Sequence, residues 1–227
     1  MTGQRTIDLP RSVYRPPLNT TRASHVVLTV HDLAASREFR TEVIGPAVSD
    51  QDRETVYPRD REESCRHGLV LKAAPDAPAA RSIGMRVLSE DDLDGLKRFF
   101  DDRGLAAEFA DEPFQGRTIR TRDRVGTPVD YCASMQTRPR LLLEFGDHRG
   151  GNALRIDHFQ IHTPEVMPAC RFHVSFGFRR SGYIVAPDGA MAGVFVQRKG
   201  NPHDIVFFHG PGPRLHHLAY TCREATL

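Results

Sequence analysis

The chain has 227 residues, of which 39% are hydrophobic and 26% charged, so it can bury a substantial core as one large domain or two small ones. Its formal charge of +2 is spread over mixed acidic and basic stretches, which argues against a nucleic-acid-binding face. No apolar run approaches the roughly 20 residues needed to span a bilayer, and the N-terminus lacks the apolar core of a signal peptide, so we expect no membrane partner.

The first elements after an N-terminal arm form a strand–helix–strand pattern. Residues 1–20 contain three prolines among scattered polar residues and are predicted to form an extended arm. The run Ser24–Val30 is strand-like, and Ala34–Val43 has apolar residues at helical spacing, with Asp32 as N-cap and Gly45 after its end. Two further predicted strands follow: Thr55–Tyr57 and Gly68–Lys72.

The same order of elements recurs along the chain. The second unit is predicted to contain the strand Ser82–Leu88 and the helix Asp91–Arg103, closed by Gly104, with further strands through Val129–Ser134. The third unit is predicted to contain one helix, Pro164–Ser175, which Gly177 closes. Its four predicted strands are Ile156–Thr163, Tyr183–Val185, Gly193–Arg198 and Ile205–His209. A fourth unit begins with the strand Leu215–Thr221 and the start of a helix at Arg223–Leu227.

A strand, a helix and three strands make a βαβββ unit, and its repetition predicts an α+β fold of tandem βαβββ modules with an incomplete fourth module. Corresponding histidines repeat with the units, since His25 precedes His158 by 133 residues and His158 precedes His217 by 59. A unit this small cannot bury both faces of its sheet, so units must pair. We expect an N-terminal pair at 21–137, a linker at 138–153 and a metal-binding domain at 154–227.

Five short motifs in the second half resemble those of a known superfamily. They occur in the order expected for it: Arg155–Gln160, Thr163–Val166, Gln197–Lys199, Pro202–Asp204 and Gly212–Tyr220. Together with Thr29–Phe39 and Gly68–Leu71 in the first half, they resemble the vicinal oxygen chelate superfamily, its type I extradiol dioxygenases, and more narrowly the homoprotocatechuate (3,4-dihydroxyphenylacetate) 2,3-dioxygenases. The resemblance covers the chain from residue 21 onward.

The resemblance implies cleavage of a catechol ring beside its paired hydroxyls by dioxygen at a non-haem Fe(II), occasionally Mn(II), held by two histidines and one carboxylate. This ligand set leaves open positions for the two catechol oxygens and for dioxygen. His158 and His217 match the two histidine ligands. His216 is next to His217 in a strand and is therefore expected on the opposite face of the sheet. There it would either pack in the fold or support the metal ligand from behind.

Three further residues match functional positions of the family. His203 matches the acid–base histidine, a role that suits an imidazole because its ordinary pKa is near 6.5. Phe195 and Gln160 fall at pocket-lining positions, where the homoprotocatechuate enzymes carry Trp and Asn. These two departures leave the ring substituent of the substrate open.

The N-terminal pair is predicted to contain a vestigial copy of the site. His25 stands at the position of His158, Asp130 at that of the carboxylate, and the second histidine position falls at Ile83–Met85, which offers no ligand. Asp130 follows His25 by 105 residues, and the same step from His158 leads to position 263, beyond Leu227. We therefore expect the third ligand outside this chain, which would then be a fragment, a truncated product or a chain that needs a partner.

Two carboxylates near the predicted site are expected to be poorly placed for a metal. Asp157 adjoins a ligand in a strand and is expected to face away, and Glu224 opens the last helix.

Other functions on this fold remain open at this stage. One is a non-catalytic protein of the superfamily that binds a small molecule, and another is a glyoxalase-like isomerase, which the four-module layout and the Pro202–Asp204 segment disfavour. Four dispersed cysteines without a C-x-x-C pair predict free thiols and a cytoplasmic location. We also expect a homo-oligomer.

Overall fold

The computed structural model of the protein describes residues 7–223, which form two mixed β-sheets with three short α-helices and confirm the predicted α+β class. Eight strands make the first sheet: β1 (Thr20–Val30), β2 (Ala47–Gln51), β3 (Thr55–Arg59), β4 (Leu69–Ala73), β5 (Ala79–Val87), β6 (Ala107–Ala110), β7 (Thr118–Arg122) and β8 (Pro128–Cys132). Five make the second: β9 (Ala153–Thr163), β10 (Arg179–Val185), β11 (Met191–Gln197), β12 (Ile205–His209) and β13 (Arg214–Cys222). The helices are α1 (Leu33–Glu38), α2 (Glu90–Asp101) and α3 (Val166–Ser175).

The strand order displays the predicted repeat. In the first sheet the order is β2-β3-β4-β1-β5-β8-β7-β6, so two βαβββ modules lie side by side and join through the antiparallel pair β1–β5. In the second sheet the order β10-β11-β12-β9-β13 gives a third module, with β13 beside β9 where β5 lies beside β1. The pairs β1–β5 and β9–β13 are therefore structural equivalents.

Capping residues explain where the helices begin and end. The Asp32 side chain accepts a hydrogen bond from the Ala35 N–H at 2.9 Å, as predicted for the N-cap of α1. The helix continues as a π-helical segment (Phe39–Ile44) and ends at Gly45, whose φ of 101° favours glycine. Ser89 caps α2, whose first turn is acidic and so complements the helix dipole.

The two sheets share one hydrophobic core. Phe99 and Phe100 of α2 pack against Phe172 of α3, and Phe99 also packs against Phe176, the residue after this helix, with ring centroids 5.2 to 5.9 Å apart. The N-terminal arm also lies against the third module, since Asp8 forms an ion pair with Arg171 at 2.9 Å. The proposed boundaries at 21–137 and 154–227 therefore separate two sheets but not two cores.

Two buried carboxylates connect the sheets in a reciprocal way. The Ala23 N–H of β1 donates to the carboxylate of Asp204 at 3.0 Å, and the Ile156 N–H of β9 donates to the carboxylate of Asp60. Ala23 and Ile156 each lie two residues before the corresponding histidine of their strand. The two halves thus fix each other's central strand.

The structure locates two strands to which the sequence patterns assigned no bounds. β2 and β6 are short, and few of their residues are buried, so neither shows a clear alternation. The predicted last helix falls mostly on residues 224–227, outside the described residues. All four cysteines are free, as predicted: Cys65, Cys132, Cys170 and Cys222. Within residues 7–223, no helix is both long and apolar enough to cross a membrane.

Candidate metal centre

A β-bulge in β13 shapes the site. Leu215 and His217 pair with the consecutive residues Ile161 and Gln160, so His216 is an extra residue in β13. A bulge re-aims the side chains around it and is common beside functional sites.

A second bulge lies on the opposite strand. Ala219 and Tyr220 are consecutive, yet they pair with His158 and Ile156, so Asp157 is the extra residue in β9. The two bulges lie on either side of the cross-strand region that contains His158 and His217.

Three imidazoles predicted from the motifs converge at this place. The ring centroids of His158 and His203 are 4.2 Å apart, and those of His158 and His217 are 5.6 Å apart. His203 reaches the cluster from the loop before β12, whereas His158 and His217 project from paired strands. All three rings are partly buried.

The structure overturns the expectation that Asp157 faces away from the site. Its Oδ2 lies 2.8 Å from His158 Nδ1, and ligand atoms of Asp157, His158 and His203 all lie within 4.8 Å of one another. The bulge explains the difference, because strict strand alternation no longer holds at an inserted residue. Glu224, the other carboxylate considered from the sequence, lies outside the described residues.

The expected separation of His216 from His217 also fails, for the same reason. The two Nδ1 atoms are 2.8 Å apart, and the exposed His216 ring stacks on His162 with centroids 4.4 Å apart. His216 therefore contacts the predicted ligand from behind, which is compatible with the supporting role expected for it.

The two predicted pocket residues lie beside the imidazoles. The Phe195 ring meets the His203 ring edge-on at 5.3 Å. Gln160 pairs with His217 across the strands, and its amide lies 3.2 Å from the His162 ring nitrogen. Their place in the fold is thus at the rim of the cluster; their substrate contacts remain a prediction.

The surroundings of His203 and His217 favour their neutral forms. Burial and then the neighbouring His158 lower the pKa of His203, and burial followed by His158 and His216 lowers the pKa of His217. A neutral imidazole is the form that binds a metal or accepts a proton.

The residues at the cluster fit a divalent transition metal. A metal–nitrogen bond of about 2.1 Å puts an ion about 3 Å from a ring centroid, so rings 5.6 Å apart can share one ion. The Nδ1 of His203 is buried and has no hydrogen-bond partner among residues 7–223. Imidazoles beside a carboxylate suit iron, manganese or zinc.

The N-terminal pair contains a counterpart of this cluster. His25 pairs with Gly84 and Ala23 with Met85, so Ser24 is an extra residue in β1 and occupies the place that Asp157 has in β9. His67 lies two residues before β4 as His203 lies two residues before β12, and its ring is 5.5 Å from that of His25.

The register corrects the predicted second-ligand position of the N-terminal copy. Val27 pairs with Ser82 as Gln160 pairs with His217, so Ser82, rather than Ile83–Met85, stands at the equivalent of His217. The Ser82 hydroxyl donates to Asp130, whose pKa burial raises. The absence of a second histidine ligand is as predicted.

A glutamine amide lies between the two N-terminal imidazoles. Gln115 Nε2 is 3.2 Å from His25 Nε2 and 3.4 Å from His67 Nε2. Burial lowers the pKa of His25 well below its ordinary value and that of His67 to about 3, so both rings are neutral acceptors. Neither His67 nor Gln115 belongs to a motif that sequence reasoning could single out.

Comparisons with known proteins agree with this geometry. Residues 22–131 match the model of the Glyoxalase/Bleomycin resistance protein/Dioxygenase superfamily. No curated protein matches the chain by sequence.

Solved structures of homoprotocatechuate 2,3-dioxygenases are similar to the chain. A variant from B. fuscum has a TM-score of 0.89 at 29% identity, over 96% of this chain and 61% of that one. The Brevibacterium fuscum enzyme in complex with 3,4-dihydroxyphenylacetate has a TM-score of 0.86 at 30% identity, over 92% and 66%. The Arthrobacter globiformis enzyme has a TM-score of 0.88 at 29% identity, over 96% and 68%.

The chain thus spans about 61% of the length of the first of these enzymes. The matched family model covers the N-terminal pair, and the structural likeness extends over the imidazole cluster as well. These matches confirm the resemblance to the vicinal oxygen chelate superfamily, here the glyoxalase/bleomycin resistance protein/dioxygenase superfamily, that the motifs predicted.

Proposed function

We propose that this chain carries the catechol-binding and metal-binding region of an extradiol ring-cleaving dioxygenase, with 3,4-dihydroxyphenylacetate as the model substrate and Fe(II), or else Mn(II), as the metal. The convergence of His158, His203 and His217 supports this proposal above all. The likeness to homoprotocatechuate 2,3-dioxygenases at 29–30% identity supports the reaction class.

Each imidazole has a distinct part in this proposal. His158 and His217 would hold the metal, which when bound supplies coordination positions for the catechol oxygens and dioxygen and a path for electron density between them. The neutral His203 ring accepts a proton from a catechol hydroxyl and returns it as the ring opens. Phe195 and Gln160 limit the space at the rim. Activity further requires the carboxylate ligand that the repeat places near position 263.

The test is ring cleavage by a chain extended past Leu227 to include the predicted carboxylate ligand. Incubated under air with Fe(II) and 3,4-dihydroxyphenylacetate, it is expected to give the yellow ring-opened semialdehyde, and His203→Gln is expected to lower the rate by about 10²–10⁴-fold. His209→Gln is the matched control, because His209 is an exposed histidine on β12. The alternative, a non-catalytic small-molecule-binding protein, predicts catechol binding without any colour.

Two attributes of the proposal lie outside the site. A cytoplasmic location agrees with the four free thiols. A homo-oligomer agrees with the exposed apolar side chains of edge strand β10, which are Tyr183, Ile184 and Val185. Fractionation and light scattering would test these two attributes. The partners proposed are the catechol and dioxygen.

A further inference from the structure

We propose that Asp157 is a positioning residue, whose carboxylate holds the His158 imidazole so that its Nε2 faces the metal. This inference rests on the proposed function for the identity of the ligand. It adds a residue that neither the motifs nor the repeat assigned to the site.

The contact fixes the tautomer of the ring. Asp157 Oδ2 lies 2.8 Å from His158 Nδ1, and their side chains are 22% and 17% exposed. A carboxylate accepts hydrogen bonds, so Nδ1 must carry the proton and Nε2 keeps its lone pair. Ligand histidines commonly donate their other ring N–H to a carboxylate in this way, which orients the ring and raises its basicity.

The carboxylate is itself held on its other side. Asn201 Nδ2 donates to Asp157 Oδ1, and Lys199 Nζ donates to the backbone carbonyl of Asp157. Lys199 also forms an ion pair with the buried Asp204 at 3.1 Å. The loop that supplies His203 therefore also fixes Asp157, and both oxygens of the carboxylate are engaged.

The internal repeat provides a natural comparison. Ser24 occupies the equivalent bulge in β1, and its hydroxyl lies 3.2 Å from His25 Nδ1. The same backbone device thus places a hydroxyl beside the histidine of the vestigial copy and a carboxylate beside the histidine of the proposed metal site. A hydroxyl can donate or accept, so it neither fixes the tautomer nor adds negative charge. The carboxylate is specific to the half that has two ligand histidines.

The experiment replaces Asp157 of the third module by serine, the residue that the N-terminal copy has at the equivalent position. Asp157→Ser in the full chain is expected to weaken Co(II) binding, measured by calorimetric titration, by about 10–100-fold. Asp157→Asn keeps the size of the side chain without its charge and is expected to weaken binding as well; it replaces the serine variant if that fails to fold. Asp76→Asn removes an equal charge from an exposed turn and should bind like the unmodified protein.

A second measurement works without metal. Long-range ¹⁵N NMR of the metal-free protein is expected to show His158 protonated at Nδ1, and the variants are expected to show a mixture of tautomers. Unchanged Co(II) affinity in both variants, or an Nε2-protonated His158 in the unmodified protein, would overturn the inference. If the unmodified protein binds no Co(II), the proposed function fails instead, and the NMR result alone decides whether Asp157 sets the tautomer.

Discussion

The imidazole cluster of the third module and its counterpart in the N-terminal pair have the same backbone arrangement and differ in their side chains. Both have a bulge one residue before the strand histidine, and both bring a second histidine from the loop before a parallel strand. In the N-terminal copy a serine replaces His217, and an amide lies between the two remaining rings.

This difference teaches how a site predicted to have lost its metal can keep its fold. Buried imidazole nitrogens need hydrogen-bond partners once no cation binds them. Gln115 supplies donors for His25 and His67, and Ser82 supplies one for Asp130. The site predicted to be vestigial is therefore a hydrogen-bond network in this structure.

The largest expected effect comes from exchanging the two strand histidines for glutamine. His158→Gln removes a proposed ligand and is expected to weaken Co(II) binding on the order of 100-fold or more, which exceeds the loss for a supporting residue. His25→Gln should leave Co(II) affinity unchanged and lower only the free energy of unfolding. An equal loss of affinity in both variants would contradict the proposed division between the halves.

The buried Asp60, one of the two groups that connect the sheets, should make the stability of the protein depend on pH. Burial raises the pKa of Asp60 from 3.8 to about 8, so the folded protein keeps a proton that the unfolded chain releases. Stability is therefore expected to fall as the pH rises from about 4 to about 8, on the order of a few kcal/mol. Asp60→Asn should reduce this fall in the free energy of unfolding, which urea denaturation at pH 5 and at pH 8 would measure. Asp76→Asn should retain the full dependence, and an equal slope in both variants would exclude Asp60 as its cause.

The amide between the N-terminal rings should matter for stability alone. Gln115→Ala leaves two buried ring nitrogens without a donor and is expected to lower the free energy of unfolding by about 1–3 kcal/mol. Urea denaturation measures this, with the exposed Gln136→Ala as control. A neutral result would mean that water replaces the amide.

The smallest effect is expected at the N-terminal bulge. Ser24→Ala removes one neutral hydrogen bond to His25 Nδ1 and should lower the free energy of unfolding by about 0.5–1.5 kcal/mol, with no change in Co(II) affinity. A loss of metal affinity here would show that the two clusters are coupled, and would weaken the comparison.

The sequence was sufficient where the pattern is local or repeated. The strands of His158 and His217, the Asp32 cap and the alignment of His25 with His158 all follow from periodicity, capping rules and the repeat. His203 joined the site through its motif.

The rest depended on features that a linear pattern does not show. Period-two alternation wrongly predicted that Asp157 faces away from the site and that His216 is separated from His217. Each bulge inserts one residue that no local sequence signal marks. Gln115 reaches His25 across 90 residues of sequence, so only the assembled sheet could reveal their contact.

The aromatic packing between α2 and α3 has a consequence for how the protein comes apart. Because Phe99 and Phe172 belong to one core, neither sheet can open without exposing the aromatic side chains of the other. The two halves should melt as one calorimetric unit, and the slowest-exchanging amides of β1 and β9 should share a single opening free energy.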